Sequence, residues 1–151
     1  MSDELAYCTF RLGELFFGVE VLSVQEVIRY QRMTAVPLAP AVVSGLINLR
    51  GQVVTAIDLR RRLGMPDRAE GQLPMNVVVR TEDGPVSLLV DEIGDVLEVD
   101  ESMFEPAPET LEGVTRDLVT GVFKLDGRLL LVLDVDRALR LPVTAGSEIG
   151  G

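Results

Sequence analysis

Three carboxylates in one short stretch, Asp91, Glu92 and Asp95 of "DEIGD", have the makings of a general acid/base pair or a site for a hard cation. A matching segment nearer the N-terminus, "LSVQE", carries only one acid, so "DEIGD" is expected to be a solvated acidic turn. The chain has no histidine, which removes Ser-His-Asp and Cys-His nucleophiles and the commonest metal ligand. Its single cysteine, Cys8, cannot assemble a zinc site, and no metal or cofactor is expected. "NLRG" and "KLDG" hold one glycine each, too few for a phosphate-cradling loop.

What remains is a guanidinium at a turn. "INLRG" and "FKLDG" place Arg50 and Asp126 at the same point of two similar segments, with opposite charge. Gly51 and Gly127 suit the positive backbone dihedral of a tight hairpin. Arg50 has two readings. It pairs with Asp58 or Glu26 across a sheet, or its planar fork of donors faces carboxylates or carbonyls on another chain.

The elements that must position this turn are mostly strands. "YCTFRL" and "LFFGVEVL" flank a turn at Gly13-Glu14, and "SVQEVIRY" fits either a helix or a third strand. "VPLAP", with Pro37 and Pro40, must be a connector. "GLINLR" and "VVTAI" form a hairpin closed at Arg50-Gly51, and Asp58 is a good N-cap for "LRRRL", which Gly64 ends. "DRAEGQLP" is the most polar stretch and the best boundary. "NVVVRT" then restarts the same programme. At an offset of 76, Gly45 meets Gly121, Gly51 meets Gly127, Asp58 meets Asp134 and Leu63 meets Leu139; at 69, Val24 meets Ile93 and Val27 meets Val96. This is an internal duplication. Each unit of about 65 residues would bury too little surface alone, so the two should share an interface, with Val24, Val27, Ile93 and Val96 as candidates to fill the seam. Cys8 lies in a strand and reads as a small buried filler.

Composition narrows the partners. A formal charge of −10 repels phosphate backbones and anionic lipid, and the near absence of aromatic residues disfavours nucleic-acid stacking. Residues 1–75 hold eight acids and eight arginines, while 76–151 hold sixteen acids and six bases. Protein partners are expected. The lone cysteine, the acidic N-terminus and the lack of an apolar run near the ~18 residues of a membrane span point to a cytosolic chain, expected to be monomeric when free.

"VPLAPAVVSGLINLRGQVVTAIDLRRRLG", with "FRLGELFFGVEVLSVQEVIRY" before it and "VSLLVDEIGDVLEVD" after it, closely resembles the CheW family of bacterial chemotaxis adaptors, from about Tyr7 to Pro142. The resemblance implies an all-β fold: two five-stranded SH3-like barrels about a pseudo-twofold axis, with short helical segments. The whole of 1–151 would be one CheW-like domain. Its first subdomain would span about 7–70, with exchange of terminal segments left open, its second about 74–142, and 143–151 would be a flexible tail.

The same resemblance implies a free-standing, non-catalytic adaptor. It would join the cytoplasmic tip of chemoreceptors to the regulatory domain of the histidine kinase CheA at membrane-bound receptor arrays, without inserting into the membrane. By motif, receptor contacts fall on Val24, Glu26, Val27, Asn48, Arg50, Ile93 and Val96. Kinase contacts fall near Met33 and Gly45, while Gly51, Gly127, Asp58 and Asp134 are structural turn and cap positions. Ile28 stands where the family often has a charged residue and Thr55 where it often has proline. An adaptor of a related non-flagellar motility or regulatory pathway, recruiting another signalling enzyme, is the alternative.

Overall fold

A computed structural model describes residues 4–111 and 113–140; the expected tail, 143–151, lies outside the described residues. Chain order gives β1 (Glu4–Leu12), β2 (Leu15–Glu20), β3 (Val24–Ile28), β4 (Val43–Leu49), β5 (Gln52–Asp58), α1 (Leu59–Arg62), β6 (Met75–Val79), β7 (Val86–Val90), β8 (Glu92–Asp100), α2 (Gly113–Asp117), β9 (Val119–Leu125), β10 (Arg128–Leu133) and α3 (Val135–Leu139). "SVQEVIRY" resolves as a strand, β3. Among the described residues no helix is long and apolar enough to cross a membrane.

The strands form two five-stranded sheets, β8-β1-β2-β10-β9 and β3-β6-β7-β5-β4. These are one order written twice. Each sheet has a single parallel pair, β2 with β10 and β7 with β5, and the two offsets carry the register Leu131↔Phe17 onto Thr55↔Val86.

The sheets do not divide the chain near residues 70–74. Residues 7–70 supply β1 and β2 to one sheet and β3, β4 and β5 to the other. The chain crosses over at Val21–Ser23 and again at Asp91, so the edge strand that follows each hairpin belongs to the opposite sheet. Neither half could bury enough apolar surface by itself, and the exchange gives both a common core.

That core explains the unbroken apolar runs. Val77 and Val79 of β6 face a shared cluster with Phe10, Phe17, Ile57, Leu88 and Leu131, whereas Val78 faces Ile47, Val54 and Leu89 inside its own sheet. In β10, Leu131 and Leu133 join the shared cluster, and Leu130 and Val132 join Tyr7, Phe16 and Phe123. Strands buried on both faces lose the alternation of apolar and polar residues. Val24 and Ile93 pack against the shared cluster as expected. Val27 and Val96 do not fill the seam: they are 41% and 58% exposed on the outer faces of their edge strands.

In each sheet the segment that follows one edge strand, β3 or β8, returns to bridge the other edge strand, β4 or β9. Thr34 and Leu46 exchange two backbone bonds of 2.8 Å, and Glu105 and Val122 exchange bonds of 2.9 and 2.8 Å. The glycine beside each bridge allows the approach, because a Cβ on Gly45 would stand 2.6 Å from the Thr34 carbonyl oxygen and one on Gly121 would stand 2.6 Å from that of Glu105. Gly45→Ala should therefore lower the unfolding free energy by about 1–3 kcal/mol, the usual cost of forcing an extra methyl into a packed site. A urea midpoint equal to that of the parent chain would show that the bridge yields freely.

At one crossover the seam is closed by ions. The Asp91 carboxylate accepts from the Gly13 amide at 2.7 Å, from Arg60 Nε at 2.8 Å and from Arg60 Nη2 at 2.6 Å. Arg68 Nε lies 2.9 Å from the same carboxylate, and Arg68 Nη1 donates to both oxygens of Asp58 at 3.1 Å. Asp91 is therefore not a solvated turn residue: its side chain is 6% exposed and that of Arg68 only 7%. Glu92 and Asp95 are exposed. On the far side of the seam, Arg62 donates to the carbonyls of Arg137, Ala138 and Arg140, holding the end of α3 against α1.

Candidate functional site

The Arg50-Gly51 turn closes the β4–β5 hairpin between the paired residues Leu49 and Gln52. Both turn residues have positive φ, 53° at Arg50 and 88° at Gly51, the pattern of the two-residue turns whose twist matches a hairpin. The Asn48 side-chain oxygen accepts from the Gly51 amide at 2.8 Å and fixes the turn from inside the hairpin. A left-handed arginine costs roughly 1–2 kcal/mol relative to a right-handed one, so something must hold it there.

What holds it is Glu26. Arg50 Nη1 donates to Glu26 Oε2 at 2.9 Å and Nη2 to Oε1 at 2.8 Å, a forked pair joining two planar groups. Asp58, the other partner considered, is taken by Arg68 and caps α1 by accepting from the Arg60 amide at 3.0 Å. Glu26 lies on β3 and Arg50 at the end of β4, the two edges of the same sheet, so the pair spans the closing gap. The glutamate side chain is 17% exposed and the arginine side chain 79%. One end of the fork is thus anchored while most of the guanidinium faces solvent.

The second half has no forked pair there; a single exposed contact, Lys124 Nζ to Glu105 Oε1 at 3.4 Å, crosses its gap instead. At the matching positions Glu26 is replaced by Asp95 and Arg50 by Asp126, two acids. Gly127 keeps its positive φ of 83°, whereas among the described residues the only non-glycine positive φ values are at Arg50 and Leu38. A cation on the turn itself therefore marks one half, while in the other Lys124 and Arg128 flank an acidic turn.

The remaining expected residues separate by burial. Val27 and Val96 present apolar surface on β3 and β8, while Val24 and Ile93 serve the core behind them. Each edge strand is bulged just past these two, between Val24 and Glu26 and between Ile93 and Val96. Met33 is half-buried against the cluster of Ile47 and Val54. Gly45 is buried, so it reaches a partner only through the segment it seats. Asp134 caps α3, accepting from the Arg137 amide at 3.1 Å. Cys8 is half-buried, and burial pushes its thiol pKa up, which leaves it a poor nucleophile.

Two features escaped the sequence reading. The Asp91–Arg60–Arg68–Asp58 network joins residues far apart in the chain, and no local pattern announces it. Leu38, fully exposed with a φ of 65°, stands at the tip of the proline connector; an apolar residue between two prolines was the available signal.

The family description "CheW-like domain" matches residues 6–142. A probable chemotaxis protein CheW of Rhizobium etli is 34% identical over 84% of this chain and 82% of its own length. Chemotaxis protein CheW of Bacillus subtilis is 33% identical, with 82% and 79% covered. The crystal structure of the scaffolding protein TtCheW from Thermoanaerobacter tengcongensis superposes with a TM-score of 0.82 at 26% identity, covering 93% of this chain and 95% of that one.

Proposed function

Because the chain belongs to the CheW-like domain family, we propose that it is a non-catalytic chemotaxis adaptor that couples the cytoplasmic tips of chemoreceptors to the regulatory domain of a CheA-type histidine kinase. The single observation that carries the docking site is the half-anchored Arg50. Its fork is fixed on one side by Glu26, and its guanidinium end stays 79% exposed to solvent.

A receptor hairpin offers carboxylates and carbonyls to such a fork and apolar side chains to Val27 and Val96. Each contact is weak alone. Binding several receptors and kinases in one assembly at the membrane raises the effective concentration of every further contact. The two sheets differ in charge, residues 24–90 of one holding six acids and eight arginines while most of the acids belong to the other, which suits head-to-tail contacts that close into rings.

Co-sedimentation with receptor-bearing membranes and kinase tests the reading. The chain should pellet only with the membranes and should carry kinase down with it; a chain that stays in the supernatant at saturating receptor overturns the proposal. Val27→Asp and Val96→Asp, at exposed positions, should each move stability by less than about 0.5 kcal/mol. The same substitutions should reduce receptor-dependent pelleting, which is read from the bound fraction against receptor concentration.

A further inference from the structure

The internal duplication exposes a binding site that is filled in one half and open in the other. In the second sheet Asp58 pairs with Leu89, and the guanidinium of Arg68 is seated between them: Nη1 on both Asp58 oxygens at 3.1 Å, Nη2 on the Leu89 carbonyl at 3.1 Å. At the offsets of 76 and 69, the counterparts of Asp58 and Leu89 are Asp134 and Glu20. Both line an open cleft of about 270 Å³ at the other crossover, together with Ser23, Arg80, Thr120 and Asp136. We propose that this cleft receives the arginine side chain of a partner protein, held as Arg68 is held at its twin.

The occupant's chemistry follows from the lining. Arg80 is the one cation lining the cleft with Glu20, Asp134 and Asp136, and its Nη1 is already committed to the carbonyls of Leu22 and Val24 at 3.0 and 2.9 Å; outside the lining, the exposed Arg137 Nε reaches one Asp134 oxygen at 3.5 Å. Arg80 is therefore part of the wall. Among the described residues no group of three or more Cys, Asp or Glu is arranged to hold a metal ion, so these acids do not converge on a point charge. A planar, extended cation that reaches both a carboxylate and a backbone carbonyl fits where an ion does not, as the Arg68 site demonstrates. The counterpart of Arg68 is Thr144, and residues 141–151 contain no Lys or Arg. Glu26, Val27 and Arg50 do not line this cleft, and the inference does not rest on the receptor-docking proposal.

The test is a titration of the isotope-labelled full chain with N-acetyl-arginine amide at low salt, followed by amide chemical shifts. Saturable shifts should appear at Glu20, Thr120 and Asp136. Glu20→Gln and Asp134→Asn should each weaken binding about tenfold. Asparagine retains the helix cap, and Glu20 caps nothing, so loss of fold does not confound both variants. N-acetyl-lysine amide should bind less tightly than the arginine probe. Equal shifts with the lysine probe, scattered over all exposed acids, overturn the proposal, as does a titration unchanged in both variants. Shifts at these same amides on raising protein concentration without probe would assign the site to a second copy of this chain and overturn the assignment to a partner.

Discussion

Asp91→Ala should destabilise the protein by about 3–5 kcal/mol, the cost of breaking a buried ion pair by removing one partner. The substitution takes the carboxylate from Arg60, whose side chain is 13% exposed, and from Nε of Arg68, which is 7% exposed and keeps Asp58, and it leaves the Gly13 amide without its acceptor. The loss falls at a junction. Asp91 is the crossover from the second sheet to the first, Gly13 is in a hairpin of the first sheet, and Arg60 and Arg68 follow β5 of the second. Both sheets should therefore melt together at a lower urea midpoint.

The same carboxylate gives the effect a pH signature. Burial pushes the Asp91 pKa up, but hydrogen bonds from Arg60 and Gly13 and the charges of Arg60 and Arg68 outweigh it and hold the pKa below the ordinary aspartate value. A folded-state pKa below the unfolded one means that the stabilisation is complete above the unfolded value, about 4, and disappears as pH falls through the folded value. The parent chain should thus lose stability below about pH 4. Asp91→Ala should lose less over the same interval, so the gap between their midpoints narrows in acid. A gap that stays constant from neutral pH into that range would remove Asp91 from the linkage.

Arg50→Glu should reduce receptor-dependent kinase activation about tenfold or more while leaving the unfolding free energy, read from urea titration, within roughly 1 kcal/mol of the parent. The guanidinium end of the pair is 79% exposed, which limits what the pair contributes to folding, and the turn is also fixed by Gly51 and by the Asn48 bond to its amide. A charge swap separates the two roles of this side chain. Glu26→Arg combined with Arg50→Glu rebuilds a pair across β3 and β4 and should recover the small stability loss. It presents a carboxylate where a receptor would meet a guanidinium, so activation should stay low. Recovery of activation by the swap would make Arg50 a clamp and nothing more.

Much of the architecture could be read from residue order. Two sets of strand runs, two hairpin glycines and two capping aspartates recur at fixed offsets, and the structure arranges them as two sheets of one order. Which sheet each strand enters was not legible. An offset says that Val24 and Ile93 are equivalent, but it is silent on whether β3 pairs with the strand before it or with β6, because pairing partners are chosen by a core that neither segment contains alone. Asp91 was misread for a related reason. An acid after a buried strand looks the same in sequence whether water or an arginine receives it, and its partner Arg68 comes from the most polar stretch of the chain. The Arg50 pairing was one of two named, and the choice of Glu26 over Asp58 depended on Arg68 occupying the latter. Burial likewise sorted the three seam valines and the isoleucine in a way that spacing could not: the residues nearest each crossover face inward, and those three further along face outward.

The most direct measurement is a chemical-shift map of the labelled chain titrated with a chemoreceptor cytoplasmic hairpin. Perturbations gathered at Val27, Arg50 and Val96, and abolished by Arg50→Glu, are the anticipated result. A map confined to the Leu38 tip, or one indifferent to the charge at residue 50, would show that receptors dock elsewhere.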